Sequence, residues 1–104
     1  MSEFANVSVV KQANVYFDGN VTSRTLKFAD GTIKTLGFML CGEYTFNTAK
    51  AELMEILSGE LALLLPDSNH WQSLSAGDAF NVPAQAKFSV KVTAPTDYIC
   101  SFID

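Results

Sequence analysis

The chain has 104 residues, with 7 Lys+Arg against 11 Asp+Glu and a formal net charge of −4. That length holds one domain, and so acidic a balance argues against a nucleic-acid binder, whose affinity rests on clustered cations that displace counterions. Hydrophobic residues at 48% against 17% charged exclude a disordered chain and predict one packed core.

The opening Met1-Ser2-Glu3-Phe4-Ala5-Asn6 carries neither a cationic n-region nor an apolar h-region, so no export leader is expected. The longest apolar run, Leu61 to Pro66, is far short of the ~20 residues a membrane helix needs, so no membrane partner is expected. A cytoplasmic location follows as the expectation, with Cys41 and Cys100 as two reduced thiols.

Turn signals then recur about every ten residues: Asp18-Gly19-Asn20, Asp30-Gly31, Cys41-Gly42, Ser58-Gly59, Pro66-Asp67-Ser68-Asn69, Ala76-Gly77-Asp78, Pro83-Ala84 and Ala94-Pro95. Between them lie short apolar or alternating runs. In Glu43–Thr48, Tyr44, Phe46 and Thr48 share one face, and Glu43, Thr45 and Asn47 the other. In Lys87–Val92, Phe88, Val90 and Val92 face the core, opposite Lys87, Ser89 and Lys91. Thr48–Leu57 also fits a helix, with Thr48 as cap, a stripe of Leu53, Ile56 and Leu57, and Gly59 as stop. A ten-residue helix would interrupt a meander of short connections, so the segment is read as strand. The expected fold is all-β, about ten short strands whose edges are removed by closing into a barrel or double-sheet jelly roll.

Several chemistries are excluded. His70 is the only histidine and sits in a turn-like run, so a three-histidine metal site within one chain is ruled out. Glycine-rich phosphate loops, a CxxC pair and a G-x-S-x-G elbow are missing.

Two spacings remain. Glu52 and Gly59 form E-x6-G, and Gly77 and Pro83 form G-x5-P. These match the two halves of the cupin signature and make the expected fold a single cupin-like barrel. The signature's H-x-H pair is replaced by Phe46 and Thr48, its second-motif histidine by Phe88, and the glycine two past Pro83 by Gln85. Of the usual ligand set only Glu52 remains.

The runs Asn14–Gly19, Gly42–Thr48, Ser58–Leu61, Leu64–Asp67, His70–Gln72, Phe80–Pro83 and Pro95–Cys100 resemble the small cupin-type pyrimidine/purine nucleoside phosphorylases. Gly-Glu-Tyr-Thr-Phe-Asn-Thr and Phe-Asn-Val-Pro are the most specific of them. The resemblance covers Asn14 to the end, which divides the chain into an N-terminal extension, 1–13, and a cupin domain, 14–104. It implies cleavage of nucleosides by orthophosphate to free base and pentose 1-phosphate, broad base tolerance, no metal or other cofactor, and a homodimer. The alternative is a non-catalytic cupin that binds a sugar or nucleotide.

Such chemistry needs phosphate held beside C1′, positive charge on the sugar stabilised, and a base helped to leave. Glu52 is the candidate for the sugar; it reads equally as a solvent-facing strand residue, with Glu55, on the opposite face, as its competitor. Thr48 donates to phosphate or sugar, or simply ends a strand. Tyr44 and Phe46 sandwich a base without selecting it, or pack the core. Trp71 is a pocket wall or an interface anchor. Among the cations Lys34 is preferred for phosphate, with Arg24 second, and Asn81 holds base or sugar by its amide or points outward. No histidine is placed to act as general acid.

Overall fold

The computed structural model describes residues 2–103, so Met1 and Asp104, the outer ends of the two spans expected above, lie outside the described residues. Nine strands follow in chain order: β1 Ser8–Val9, β2 Asn14–Tyr16, β3 Val21–Lys27, β4 Ile33–Met39, β5 Gly42–Asn47, β6 Ala51–Leu64, β7 Gln72–Ser75, β8 Ala79–Val82 and β9 Lys87–Ile103. A single 3₁₀ turn, Phe17–Gly19, joins β2 to β3. Every pairing is antiparallel.

The expectation of about ten short strands is corrected in one respect. Two strands are long, β6 with 14 residues and β9 with 17. The signals at Ser58-Gly59 and Ala94-Pro95 are corners within these strands rather than turns between shorter ones. The first half of β6 pairs with the last half of β9, from Ala51↔Ile103 to Ile56↔Tyr98; the second half pairs with its start, from Leu61↔Val92 to Leu64↔Ser89. Between them the register slips at Ile56/Ser58, Ser58/Glu60 and Glu60/Leu61. Gly59, at φ +100°, is required at this corner: a Cβ would lie 2.5 Å from the Pro95 carbonyl oxygen. The bulge also changes parity. Met54 and Ile56 point inward before it, Leu61 and Leu63 after it.

From these two bent strands the sheet extends through β9 to β4, β3 and β1, with β5 on the other half of β9, and through β6 to β7 and β8. The curled sheet packs its concave face on itself. Val21, Met39, Tyr44, Leu63, Phe88, Val90 and Tyr98 belong to that core. Ahead of the main sheet, Phe4 packs edge-on against Phe28 with ring centroids 5.1 Å apart.

A ring-lined cavity around one acid

One end of the concave face is not filled. A cavity of about 140 Å³ opens there, lined by Phe46, Phe88 and Phe102, by the polar groups of Glu52, Ser23, Thr35, Tyr98 and Cys100, and by Tyr16, Asn47 and Met54. Strand alternation places them. Ser23 on β3 faces Gly37 on β4, and Gly37 faces Tyr98 on β9; one rung along, Thr35 faces Cys100 and Cys100 faces Met54.

The aromatic wall is continuous. Phe46 and Phe88 are direct cross-strand partners, stacked at 5.3 Å with planes 24° apart. Phe88 meets Phe80 at 5.8 Å, and Phe17 sits edge-on to Phe46 at 5.4 Å. Thus two of the positions that carry histidines in the cupin signature carry one stacked pair of rings. Phe17 holds φ +51° and Asp18 φ +56°, unusual for these side chains and costing about 1–3 kcal/mol each. The turn is tied by Asn20, whose amide donates to the Phe17 carbonyl at 2.9 Å.

Glu52, on β6 and the direct cross-strand partner of Phe102, is half-buried. Burial raises its carboxyl above the ordinary 4.5, and the Cys100 thiol, donating toward it, pulls the other way. The Cys100 thiol is itself pushed up to about 12, by burial first and by Glu52's charge next. The Tyr98 phenol is raised further, again chiefly by burial. Both groups therefore stay protonated at neutral pH, each with a proton available to donate.

Tyr98 owes its place to Gly37. A Cβ at Gly37 would lie 2.1 Å from Tyr98 Cζ and 2.4 Å from Oη. The ring lies flat over the glycine, reaching from β9 across β4 toward β3, a cross-strand aromatic–glycine pair.

The cavity brings together three of the residues singled out in the sequence, Glu52, Phe46 and Phe88. The other seven lie elsewhere. Thr48 is buried, but its hydroxyl donates to the Pro83 carbonyl at 2.7 Å and accepts from the Ala86 amide at 3.0 Å, pinning the β8–β9 turn to the end of β5. Tyr44 packs behind the wall, 4.9 Å from Phe17, with its hydroxyl donating to the Leu40 carbonyl at 2.7 Å. Lys34 points to the convex face, its Nζ 5.5 Å from the Phe4 ring and 5.8 Å from Phe28; Gly37 and Met39 are buried inward, so strand parity turns Lys34 out. Asn81 is exposed between buried Phe80 and Val82. Trp71 carries Lys91 Nζ over its ring at 4.1 Å, outside the cavity. Arg24 donates to the Lys11 carbonyl on the surface. Glu55 lines a separate convex-face groove with Lys34 and Leu57, which removes it as Glu52's competitor.

Ser23, Thr35, Tyr98, Cys100 and Phe102 escaped the sequence reading. The period-two row Thr96, Tyr98, Cys100, Phe102 was the available signal, masked by Pro95, which reads as a break. Among the described residues no three His, Cys, Asp or Glu side chains come close enough to hold a metal ion together. Cys41 and Cys100 are both free thiols, and among the described residues no helix is long and apolar enough to cross a membrane.

A curled antiparallel sheet with E-x6-G running into one corner and G-x5-P at a turn is a cupin-like fold. An RmlC-like cupin from Shewanella frigidimarina superposes with a TM-score of 0.70 at 17% identity, over 97% of this chain and 86% of that one. A protein of unknown function from Acinetobacter sp. ADP1 matches with a TM-score of 0.95 at 40% identity, over 97% and 98% of the two chains. Residues 11–102 match the model of the pyrimidine/purine nucleoside phosphorylase family. A pyrimidine/purine nucleoside phosphorylase of Geobacter sp. (strain M21) is 65% identical over 99% of this chain and 100% of its own length, and one of Hydrogenovibrio crunogenus 60% identical over the full length of both. The chain belongs to the pyrimidine/purine nucleoside phosphorylase family.

Proposed function

We propose that this protein is a pentosyltransferase, a nucleoside phosphorylase that acts on purine and pyrimidine nucleosides without a metal or other cofactor. Family membership supports the reaction. The observation that carries the site is Glu52, a half-buried carboxyl lining the same cavity as a stacked pair of rings.

In the reaction a phosphate oxygen bonds to C1′ as the N-glycosidic bond breaks. The bonding electron pair leaves with the base nitrogen. On balance the proton carried by hydrogen phosphate ends on the base, so turnover does not require a histidine acid. As the bond stretches, the sugar ring takes on positive charge. Glu52, poorly solvated and aimed into the cavity, stabilises that charge more than it stabilises the neutral substrate.

The cavity is smaller than the about 300–1,000 Å³ typical of small-molecule pockets. On this reading the pentose and phosphate occupy the cavity and the base stacks at its exposed edge, against Phe46 and Phe102. Ring faces accept any base, and base-specific hydrogen bonds that would narrow the range are not needed.

The metal-free reading rests on the donor set: Phe46, Thr48 and Phe88 stand where the cupin signature has histidines. A homodimer is supported by the convex face, where Leu36 and Phe38 of β4 and Leu57 of β6 are exposed. The cytoplasm, where nucleosides and orthophosphate meet, is the compartment this reading assigns.

Release of uracil from uridine by pure protein, dependent on added orthophosphate and unaffected by chelator, is the expected result. Nucleoside-induced thermal stabilisation with no product would instead establish the non-catalytic binding module.

A further inference from the structure

Phosphate binding is usually assigned to lysine or arginine. Here none of the residues lining the cavity is either, and Lys34 and Arg24 point to the outside of the sheet. We propose that the orthophosphate consumed in the reaction is held by neutral donors, the hydroxyls of Ser23, Thr35 and Tyr98, set on three adjacent strands and lining the same cavity as Glu52.

Hydrogen-bond accounting supports this. Asn14 Nδ2 is a donor only, and it donates to Ser23 Oγ at 3.1 Å and to Thr25 Oγ1 at 3.1 Å. Ser23 Oγ therefore has a lone pair occupied and its own proton unclaimed by any protein acceptor, although the residue is buried and lines the cavity. Among the described residues the Tyr98 hydroxyl has no hydrogen-bond partner, it is not among the fully sealed polar atoms, and the residue lines the cavity. The notch at Gly37 sends that hydroxyl toward the β3 side, where Ser23 stands. Thr35 is the direct cross-strand neighbour of Cys100, whose sulfur is a weak acceptor that a phosphate oxygen outcompetes.

The electrostatics give such a site a purpose. A lysine here would neutralise phosphate and repel the sugar's developing charge. Neutral donors leave two anions, phosphate and Glu52, beside the sugar ring. Their mutual repulsion in the ground state is relieved when positive charge appears on that ring, which lowers the barrier rather than only tightening binding.

The proposal rests on the phosphorolysis reading, and the test separates the two. Phosphate-dependent uracil release by the wild type is established first; its absence sinks the reaction itself. Ser23→Ala, Thr35→Val and Tyr98→Phe are then compared by saturation with phosphate and with uridine. A lost hydrogen bond to a charged group predicts a KM for phosphate raised by about 10- to 100-fold, with the KM for uridine changed much less. Ser23→Ala reads the site independently if Tyr98→Phe folds poorly. Raising ionic strength should leave the KM for phosphate unchanged or lower it, because screening weakens repulsion from Glu52. A KM for phosphate that stays at the wild-type value in Ser23→Ala and Thr35→Val, or that climbs steeply with salt, overturns the neutral-donor site in an enzyme that still works.

Discussion

Replacing Glu52 by Gln keeps the shape and hydrogen bonding of the side chain and removes its charge. At an effective dielectric near 20, two unit charges roughly 4 Å apart interact by about 4 kcal/mol. A sugar carrying about half a charge to a full charge in the transition state would lose about 2–4 kcal/mol, which slows kcat by about 30- to 1,000-fold. The KM for phosphate should hold or fall, because a neighbouring anion has gone. Stability should move the other way. Burial raises the Glu52 pKa, so the unfolded chain ionises first as pH rises. The stability this residue contributes is complete below the ordinary carboxylate range and is lost as pH climbs through the raised value. At neutral pH Glu52→Gln removes that penalty, and its Tm should equal or exceed the wild type's. Uracil release under saturating substrates, with a thermal melt at acid and neutral pH, reads both quantities. A kcat near the wild-type value would refute the electrostatic role. A kcat loss accompanied by a lowered Tm would make Glu52 a structural residue.

Thr48→Val should lower stability by about 1–3 kcal/mol, because the Ala86 amide and Pro83 carbonyl lose a buried partner; thermal melts check it, and kcat close to wild type would place Thr48 outside the chemistry. Phe46→Ala should raise the KM for uridine and for a purine nucleoside alike, by about 1–3 kcal/mol in binding, with a smaller change in kcat; a loss confined to one base class would argue against ring stacking as the source of tolerance. Gly37→Ala should displace the Tyr98 ring, since no Cβ fits at 2.1 Å, and lower both Tm and activity; a crystal structure with Tyr98 unmoved would contradict this. Alkylation at mildly alkaline pH should modify exposed Cys41 and spare Cys100, whose thiol is buried and held near 12; mass spectrometry of native against denatured protein counts the sites.

How much of this could be read from the residues depends on which signals survive strand parity. Glu43–Thr48 and Lys87–Val92 alternate without interruption, and the sheet buries Tyr44, Thr48, Phe88, Val90 and Val92 as that alternation dictates. Thr48–Leu57 shows a helical stripe of Leu53, Ile56 and Leu57, yet Ala51–Leu64 is strand. There the side chains divide by parity, with Glu52, Met54 and Ile56 inward and Leu57 outward, and the bulge at Gly59 then reverses the parity so that no one period fits the whole strand. Tertiary pairing with β9 decides what local pattern leaves open. Pro95 misleads in the same way: a residue that lacks an N–H reads as a break, but it fits a corner where the ladder is already interrupted.

The lining of the candidate site is legible where it coincides with a spacing and illegible where it depends on strands brought together from afar. Glu52 stands at a fixed distance from Gly59, and Phe46 and Phe88 stand where histidines are expected, so spacing alone locates all three. Ser23, Thr35 and Tyr98 come from three strands, and nothing along the chain joins them; only the register Ser23↔Gly37↔Tyr98 does. The preference for Lys34 followed from charge, on the premise that an anion seeks a cation. At the proposed neutral-donor site that premise inverts: the phosphate would be part of the stabilising field, and a protein cation beside it would oppose the reaction. The residue types to search for in such a barrel are therefore buried hydroxyls with occupied lone pairs and unclaimed protons, which composition and motif do not mark.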